Sequence, residues 1–235
     1  MEKLWLVSLL PEFFMKMKQL KVYFSADASG AYEAGLNGHI VVIVDVIDMS
    51  TSLETAMEMG ATAVFGSSPD KNSAPVPVNP EKIATVAASL ALQLNTEIII
   101  IGEPRFASKF EHQKNSQRLI NKLSDLGAKI YDYVPNIGKE ISGLTDFTNR
   151  IVIAATNTGG VAFDTAYNAG GITTTATIAR TGNLKGKEPA LKGALRAYKL
   201  AIDSQKNISF VAASSNSLED VLAAKYLCEL TKGLS

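Results

Sequence analysis

The sequence predicts an α/β protein: a three-layer α/β/α sandwich with a mixed, mostly parallel sheet and two related halves. Runs of β-branched apolar residues alternate with segments of helical periodicity, as in sheets whose two faces are covered by helices. The chain of 235 residues is long enough to bury a substantial core. In addition, one strand–turn–helix pattern occurs twice along the chain.

Apolar runs predict the strands. The first regular strand is "LKVYF", and six further runs follow at 39–46, 62–66, 97–102, 128–134, 150–156 and 208–214. Because these six runs are apolar throughout rather than alternating, they predict strands that are buried on both faces.

Between these runs, apolar residues recur at helical spacing. The predicted helices cover 51–60, 80–94, 110–127, 161–170, 189–203 and 217–233. Two of them are expected to end on glycine, at Gly60 and Gly170, the residue type that the C-terminus of a helix prefers.

An internal repeat appears when the chain is shifted by 110 positions. Segment 42–61 then aligns with segment 152–171, and five of the twenty positions are identical. Both segments predict a strand, a polar turn and a helix. Because the pattern occurs only twice, it indicates two related halves that share one sheet or pack side by side, rather than a solenoid.

Composition excludes several classes of protein. The 23 basic and 23 acidic side chains cancel, and no basic stretch is interleaved with aromatic residues, so we expect no nucleic-acid partner. No apolar segment is long enough to span a membrane, so no membrane partner is expected either. The single cysteine, Cys228, excludes an intrachain disulfide and is expected in the core, which favours a cytoplasmic protein.

The N-terminus differs in character from the rest of the chain. Residues 1–16 form an apolar N-terminal extension, and residues 17–235 form the α/β domain. Pro11 and Glu12 interrupt the apolar run, and no small-residue cleavage site follows, which is not typical of a signal peptide.

Polar residues follow four of the predicted strands, at the sheet edge where open α/β proteins bind ligands. These residues are Asp45, Asp48, Ser50, Thr51 and Ser52; Glu103 and Arg105; Thr156, Asn157, Thr158, Gly159 and Gly160; and Ser214, Ser215, Asn216, Ser217, Glu219 and Asp220. If these edges converge, carboxylates and hydroxyls form an oxygen-rich site that suits Mg²⁺, which in turn would hold an anionic ligand.

Structural roles compete with this interpretation. "TSLE" at 51–54 and "SLED" at 217–220 both match the capping box, which favours a capping role over a catalytic one for Thr51, Glu54 and Ser217. Asp45 favours function, because an aspartate within a run of Val and Ile is costly unless it is paired or bound to metal. His39 and His112 lack metal-ligand spacing and are expected to be solvated or locally bonded.

Five motifs carry a family resemblance. They are "DVIDMSTS" (45–52), "MEMGATAVF" (57–65), "IGEP" (101–104), "ATNTGGVA" (155–162) and "SSNSLEDVLAAKYL" (214–227). In this order they resemble the motifs of the 2-phosphosulfolactate phosphatase family, the magnesium-dependent phosphatases of coenzyme M biosynthesis. The resemblance covers most of the chain from about Val22 onward.

The resemblance implies a magnesium-dependent hydrolase of a small phosphorylated acid. The expected roles are catalytic for Asp45, Asp48 and Glu103; substrate-binding for Ser50, Thr51, Arg105, Thr156, Asn157 and Ser217; and metal-binding for Asp45, Glu103, Glu219 and Asp220. We also expect a homo-oligomer.

The sequence departs from the family at the arginines that would hold the anionic groups of the substrate. Asp48 and Gly160 occupy two arginine places, and at a third Arg105 comes one residue late, after Pro104. Two alternatives therefore stay open. One is an inactive relative that binds a small metabolite or acts as an assembly subunit. The other is an enzyme for a less anionic substrate, with Asp48 as general base.

Overall fold

The computed structural model describes residues 20–234, in which strands and helices alternate. The strands are β1 Val22–Ala26, β2 Ile40–Val44, β3 Ala63–Ser67, β4 Ile98–Gly102, β5 Ile130–Pro135, β6 Ile151–Ala155, β7 Ile172–Thr175 and β8 Ile208–Ala212. The α-helices are α1 Asp27–Leu36, α2 Met49–Glu58, α3 Pro80–Gln93, α4 Lys109–Asn115, α5 Gln117–Asp125, α6 Gly159–Asn168, α7 Glu188–Ser204 and α8 Leu218–Lys232, and a 3₁₀-helix spans Gly138–Gly143.

The strands form two four-stranded sheets, in the orders β1-β8-β2-β7 and β3-β6-β4-β5. Every pairing among the described strands is parallel, whereas we expected one mixed, mostly parallel sheet. The inner strands β2, β4, β6 and β8 are buried along their whole length. Their continuous apolar runs are explained by helices that cover both faces of each sheet.

The fold is a three-layer α/β/α sandwich with two related halves. One half runs from β2 to β5 and the other from β6 to α8, and they exchange their first strands: β2 lies between β8 and β7, and β6 lies between β4 and β3. The 110-residue repeat corresponds to this exchange, since it aligns β2-α2 with β6-α6. As predicted, Gly60 and Gly170 follow the ends of these helices with positive φ angles, 95° and 102°.

Two apolar clusters hold the layers together. The larger includes residues of α2 and α6, which contact strands of both sheets and have eight buried residues each, and it extends through β4 to α3 and α5. The smaller packs α7 and α8 against the outer face of the β2 sheet, and it contains Cys228, which is buried as predicted. Small residues permit the close contacts: a Cβ on Gly35 of α1 would crowd the backbone of Ala166 in α6.

Three elements differ from the sequence prediction. Helix α1 and strand β7 were not predicted, because α1 is built of small residues and β7 reads "ITTT" at a sheet edge. The helix predicted over 110–127 is divided at Ser116 into α4 and α5. Asp70, from a loop, accepts hydrogen bonds from the amides of Gln117 and Arg118 at 2.8 and 3.0 Å and so provides the N-terminal cap of α5.

The predicted apolar extension, residues 1–16, lies outside the described residues. Among the helices of residues 20–234, none is both long enough and apolar enough to cross a membrane. His112 is buried rather than solvated, and its Nε2 lies 3.0 Å from the carbonyl oxygen of Pro104. His39 is locally bonded, with Nδ1 2.8 Å from the Ser209 hydroxyl.

Candidate active site

The predicted carboxylates meet at the carboxyl ends of the inner strands. Asp45 follows β2, Glu103 follows β4, and Asp220 lies in the first turn of α8, after β8. Asp48 precedes α2 and completes the group. All the strands are parallel within their sheets, so the exchange of β2 and β6 brings loops from both halves to the same edge. Open α/β sheets bind their ligands at this edge, beyond the carboxyl ends of the strands.

Asp45 is the most deeply buried member of this group. Its side chain is 4% exposed, and its Oδ2 accepts a hydrogen bond from the Gly159 amide at 2.9 Å. Burial, together with the charges of Asp220, Glu103 and Asp48, raises the pKa of Asp45 to about 8, although the Gly159 hydrogen bond partly opposes this rise. An uncompensated negative charge is therefore costly at this position.

Glu103 is held by hydrogen bonds at both carboxylate oxygens. Asn136 Nδ2 donates to Oε1 and the Asn157 amide donates to Oε2, each at 3.1 Å. Asn136 is itself fixed, because its Oδ1 accepts from the Ser52 hydroxyl at 2.8 Å, and Ser52 accepts from the Gly138 amide. This chain of donors orients the Glu103 carboxylate at the wall of a cleft.

Asp48 and Arg105 form an ion pair at the mouth of the cleft, with side chains 17% and 45% exposed. Arg105 thus reaches the carboxylate of Asp48, although the two residues lie 57 positions apart in the chain. The local charge reversal expected from Asp48 is offset by this cation, and the guanidinium remains open to an anionic ligand.

Asp220, Ser217 and Glu219 lie at the start of α8 and have different roles. Ser217 is the N-cap, as the capping interpretation predicted, and accepts from the Asp220 amide at 3.2 Å. Asp220 Oδ1 accepts from the Val46 amide at 2.8 Å. Burial raises the pKa of Asp220, and hydrogen bonds to its carboxylate from the Val46 amide and the Ser217 side chain partly oppose this rise. Glu219 is solvent-exposed. The structure therefore favours Asp45 over Glu219 as a metal ligand.

Three of the four hydroxyls predicted to bind substrate, those of Ser50, Thr51 and Thr156, are buried and bonded within the protein. Ser50 donates to the carbonyl of Ile43 and accepts from the Asp45 amide, which fixes the turn after β2. The Thr51 hydroxyl donates to the Val46 carbonyl and lies within hydrogen-bond distance of the Thr177 hydroxyl. The Thr156 hydroxyl accepts a hydrogen bond from the Gly160 amide. Their hydrogen bonds support the loops that carry the carboxylates, so a direct substrate role for Ser50, Thr51 and Thr156 is not supported.

The amides of the 156–160 turn are used in the same way. Those of Asn157, Gly159 and Gly160 donate to Glu103, Asp45 and Thr156. This turn therefore orients the protein's own carboxylates. The capping box predicted at 51–54 is also wrong, because α2 has no side-chain cap and Glu54 is buried in an ion pair with Arg196 of α7.

Gly160 was expected, from the motif resemblance, to stand at an arginine place, and the structure leaves no room for a side chain there. A Cβ on Gly160 would overlap the carbonyl oxygen of Ser67 and contact Thr156 and Ala154. Restoring an arginine at this position would require the backbone to move.

Gly160→Ala is therefore expected to lower the free energy of unfolding by about 2–3 kcal/mol, from overpacking against the backbone. Gly143→Ala is the matched control, since nothing lies within 4 Å of a Cβ there. Urea denaturation of both variants measures the difference, and equal stabilities would contradict the close approach.

Two adjoining lobes form the cleft. The first, here the arginine lobe, has a volume of about 260 Å³ and is lined by Asp48, Glu103, Pro104, Arg105, Asn115, Asn136 and Asn157. The second, about 270 Å³, shares Glu103, Asn115 and Asn157 with it and adds Pro69, Asp70, Lys71, Lys114 and Ala155. The sequence did not predict Asn136, Asn115, Lys71 and Lys114 as residues of the cleft. Of these, only Asn136 follows a strand end, the signal that would have identified it.

The donor set fits Mg²⁺ in its chemistry. Among residues 20–234, no three or more His, Cys, Asp or Glu side chains are arranged to hold a metal ion together. Mg²⁺, however, usually binds through one or two carboxylates and keeps several waters. The gathered negative charges that raise the pKa of Asp45 would be stabilised by a cation, so Asp45 and Glu103 are the residues that fit it best.

No model of a known protein family and no curated protein matches this chain.

Proposed function

We propose that the chain is a magnesium-dependent phosphatase-like hydrolase of a small phosphorylated acid, acting in the cytoplasm and similar to the 2-phosphosulfolactate phosphatases. The observation that carries the proposal is the convergence of Asp45, Asp48, Glu103 and Asp220 at one edge of two parallel sheets. Three of these carboxylates come from separate strand ends, and the charges of the others raise the pKa of Asp45. A purely structural edge would not favour such crowding of like charges.

The residues of the cleft would have three separate roles: metal binding, phosphate binding and proton transfer. Asp45 and Glu103 would hold Mg²⁺, which when bound withdraws electron density from the phosphoryl oxygens. Arg105 is the guanidinium that lines the cleft, and it would donate to the phosphate while remaining close to Asp48. Asp48 also lines the cleft and would accept the proton of an attacking water.

Release of inorganic phosphate from a panel of small phosphorylated acids, 2-phosphosulfolactate included, tests the proposal. We expect turnover with Mg²⁺ and none with EDTA. Absence of turnover across the panel, for a protein that is folded by circular dichroism, would reject the hydrolase.

The second candidate is an inactive relative that binds a small metabolite or acts as an assembly subunit. The Asp48–Arg105 ion pair favours it, because the cation at the mouth is already neutralised by the protein. Thermal-shift measurements with the same panel distinguish the two: a binding protein is stabilised by a ligand that it never hydrolyses.

A further inference from the structure

The second lobe of the cleft, here the lysine lobe, differs in charge from the first. It is lined by Asp70, Lys71, Glu103, Lys114, Asn115 and Asn157, together with Pro69 and Ala155. It shares Glu103, Asn115 and Asn157 with the arginine lobe, so a ligand of a few carbon atoms can reach both.

The two walls of the lysine lobe are tied to each other and to the carboxylate cluster. The Asp70 amide donates to the carbonyl of Asn115 at 2.9 Å, which joins the loop after β3 to the end of α4. Asn115 Nδ2 donates in turn to the carbonyl of Glu103 at 3.0 Å. Lys71 and Lys114 are the chain neighbours of Asp70 and Asn115, and both lysines line the lobe together with Glu103.

The lysine lobe is lined by two lysines and by two carboxylates, Asp70 and Glu103, and the protein already donates hydrogen bonds to both carboxylates. Both oxygens of Asp70 accept hydrogen bonds from α5 amides, where the helix dipole stabilises its charge. Lys71 and Lys114 are exposed, and within residues 20–234 neither takes part in an ion pair. Lys114 lies in the last turn of α4, where the helix dipole favours a cation. Lys71 lies in a loop, where no helix dipole favours its charge.

We propose that the lysine lobe binds a carboxylate of the same small molecule whose phosphate lies beside Arg105. Lys71 and Lys114 supply the charge, and the side-chain amides of Asn115 and Asn157 supply further donors. The inference rests on the proposed hydrolase function and names the residues that select an acid over a neutral phosphate ester. It also gives the chain an anion site that does not require the two missing family arginines.

Three matched pairs of phosphate esters test the lobe: 2-phosphoglycolate with ethyl phosphate, 2-phospholactate with isopropyl phosphate, and 3-phosphoglycerate with glycerol 3-phosphate. Lys71→Met/Lys114→Met is compared with Lys185→Met/Lys199→Met, in which two exposed lysines outside the cleft are changed. In at least one pair, we expect kcat/KM for the acid to fall by about tenfold in the first double variant alone, because one charged contact is worth about a factor of ten. Its non-carboxylated partner should remain within about twofold.

Thermal-shift titration with the same esters separates the lobe from the hydrolase. We expect each acid to stabilise the parent more than its non-carboxylated ester does. If Lys71→Met/Lys114→Met loses this difference and the control variant keeps it, the lobe binds the carboxylate, even if no ester is hydrolysed. If both members of every pair bind or turn over equally, or if the two double variants behave alike, the lobe is not a carboxylate site, whatever the outcome for hydrolysis.

Discussion

Asp45→Asn is expected to raise the free energy of unfolding by about 2–4 kcal/mol at pH 7 in the presence of EDTA. In the folded protein, burial and three neighbouring carboxylates raise the pKa of Asp45 to about 8, whereas the unfolded chain has the ordinary value of 3.8. Between these values the folded state holds a proton that the unfolded state releases. The stability contributed by this group is therefore full below pH 3.8 and is lost as the pH rises to about 8.

The loss amounts to about 1.4 kcal/mol per pH unit within that window. Asparagine removes this pH-dependent loss, because it does not ionise. Its side-chain oxygen can still accept the hydrogen bond that the Gly159 amide donates to Asp45 Oδ2 in the parent. Its Nδ2 group needs a new partner, so the expected gain is smaller than the full linkage value. The stabilisation should accordingly be largest near pH 8 and vanish near pH 4.

Urea denaturation of parent and variant at pH 4, 6 and 8 measures this difference. Asp203→Asn, at an exposed position on α7, serves as the control and should shift the free energy of unfolding by no more than about 0.5 kcal/mol at any pH. Addition of MgCl₂ should raise the melting temperature of the parent and not that of Asp45→Asn, since the cation binds the folded state only. Parallel pH profiles for parent and variant would show that Asp45 is not the costly group described above.

Glu103→Gln is expected to reduce magnesium-dependent phosphate release by at least about 100-fold, with the free energy of unfolding changed by no more than about 1 kcal/mol. Glu103 lines both lobes and receives donors on both oxygens, from Asn136 Nδ2 and from the Asn157 amide. Glutamine removes the negative charge and directs an NH₂ group at one of these donors. The position therefore loses both its charge and its fixed orientation.

Steady-state phosphate release with the best substrate of the panel measures the effect. Glu229→Gln is the matched control, because Glu229 is an exposed residue near the end of α8 and lines neither lobe. Asn136→Ala should show a smaller loss, since it removes one of the two donors and leaves the carboxylate. Full activity of Glu103→Gln would remove this residue from the catalytic group.

The sequence by itself determined most of the secondary structure, and for physical reasons. Inner strands such as β2 and β4 are buried on both faces, so every residue is apolar and the run stands out. Helix ends at Gly60 and Gly170 require positive φ, which glycine adopts without strain. Elements without such signals were missed, among them β7, whose edge position permits three threonines.

The carboxylates of the site could also be predicted, because the carboxyl ends of parallel strands meet at one edge and Asp45 is costly in an apolar run. The hydroxyls could not be assigned in the same way. Ser50, Thr51 and Thr156 follow the same strands, but only the folded chain shows that their hydrogen bonds hold loops in place. Sequence position cannot distinguish a hydroxyl that faces a ligand from one that faces the backbone.

Tertiary structure alone decided where opposite charges meet. Arg105 pairs with Asp48, and Arg196 pairs with Glu54, across separations of 57 and 142 residues. The lysine lobe likewise depends on long-range hydrogen bonds, such as the one that the Asp70 amide donates to the Asn115 carbonyl. Local sequence determines a strand or a helix end because the relevant forces act within a few residues, whereas the charge balance of the cleft depends on loops that only the exchange of β2 and β6 between the two sheets brings together.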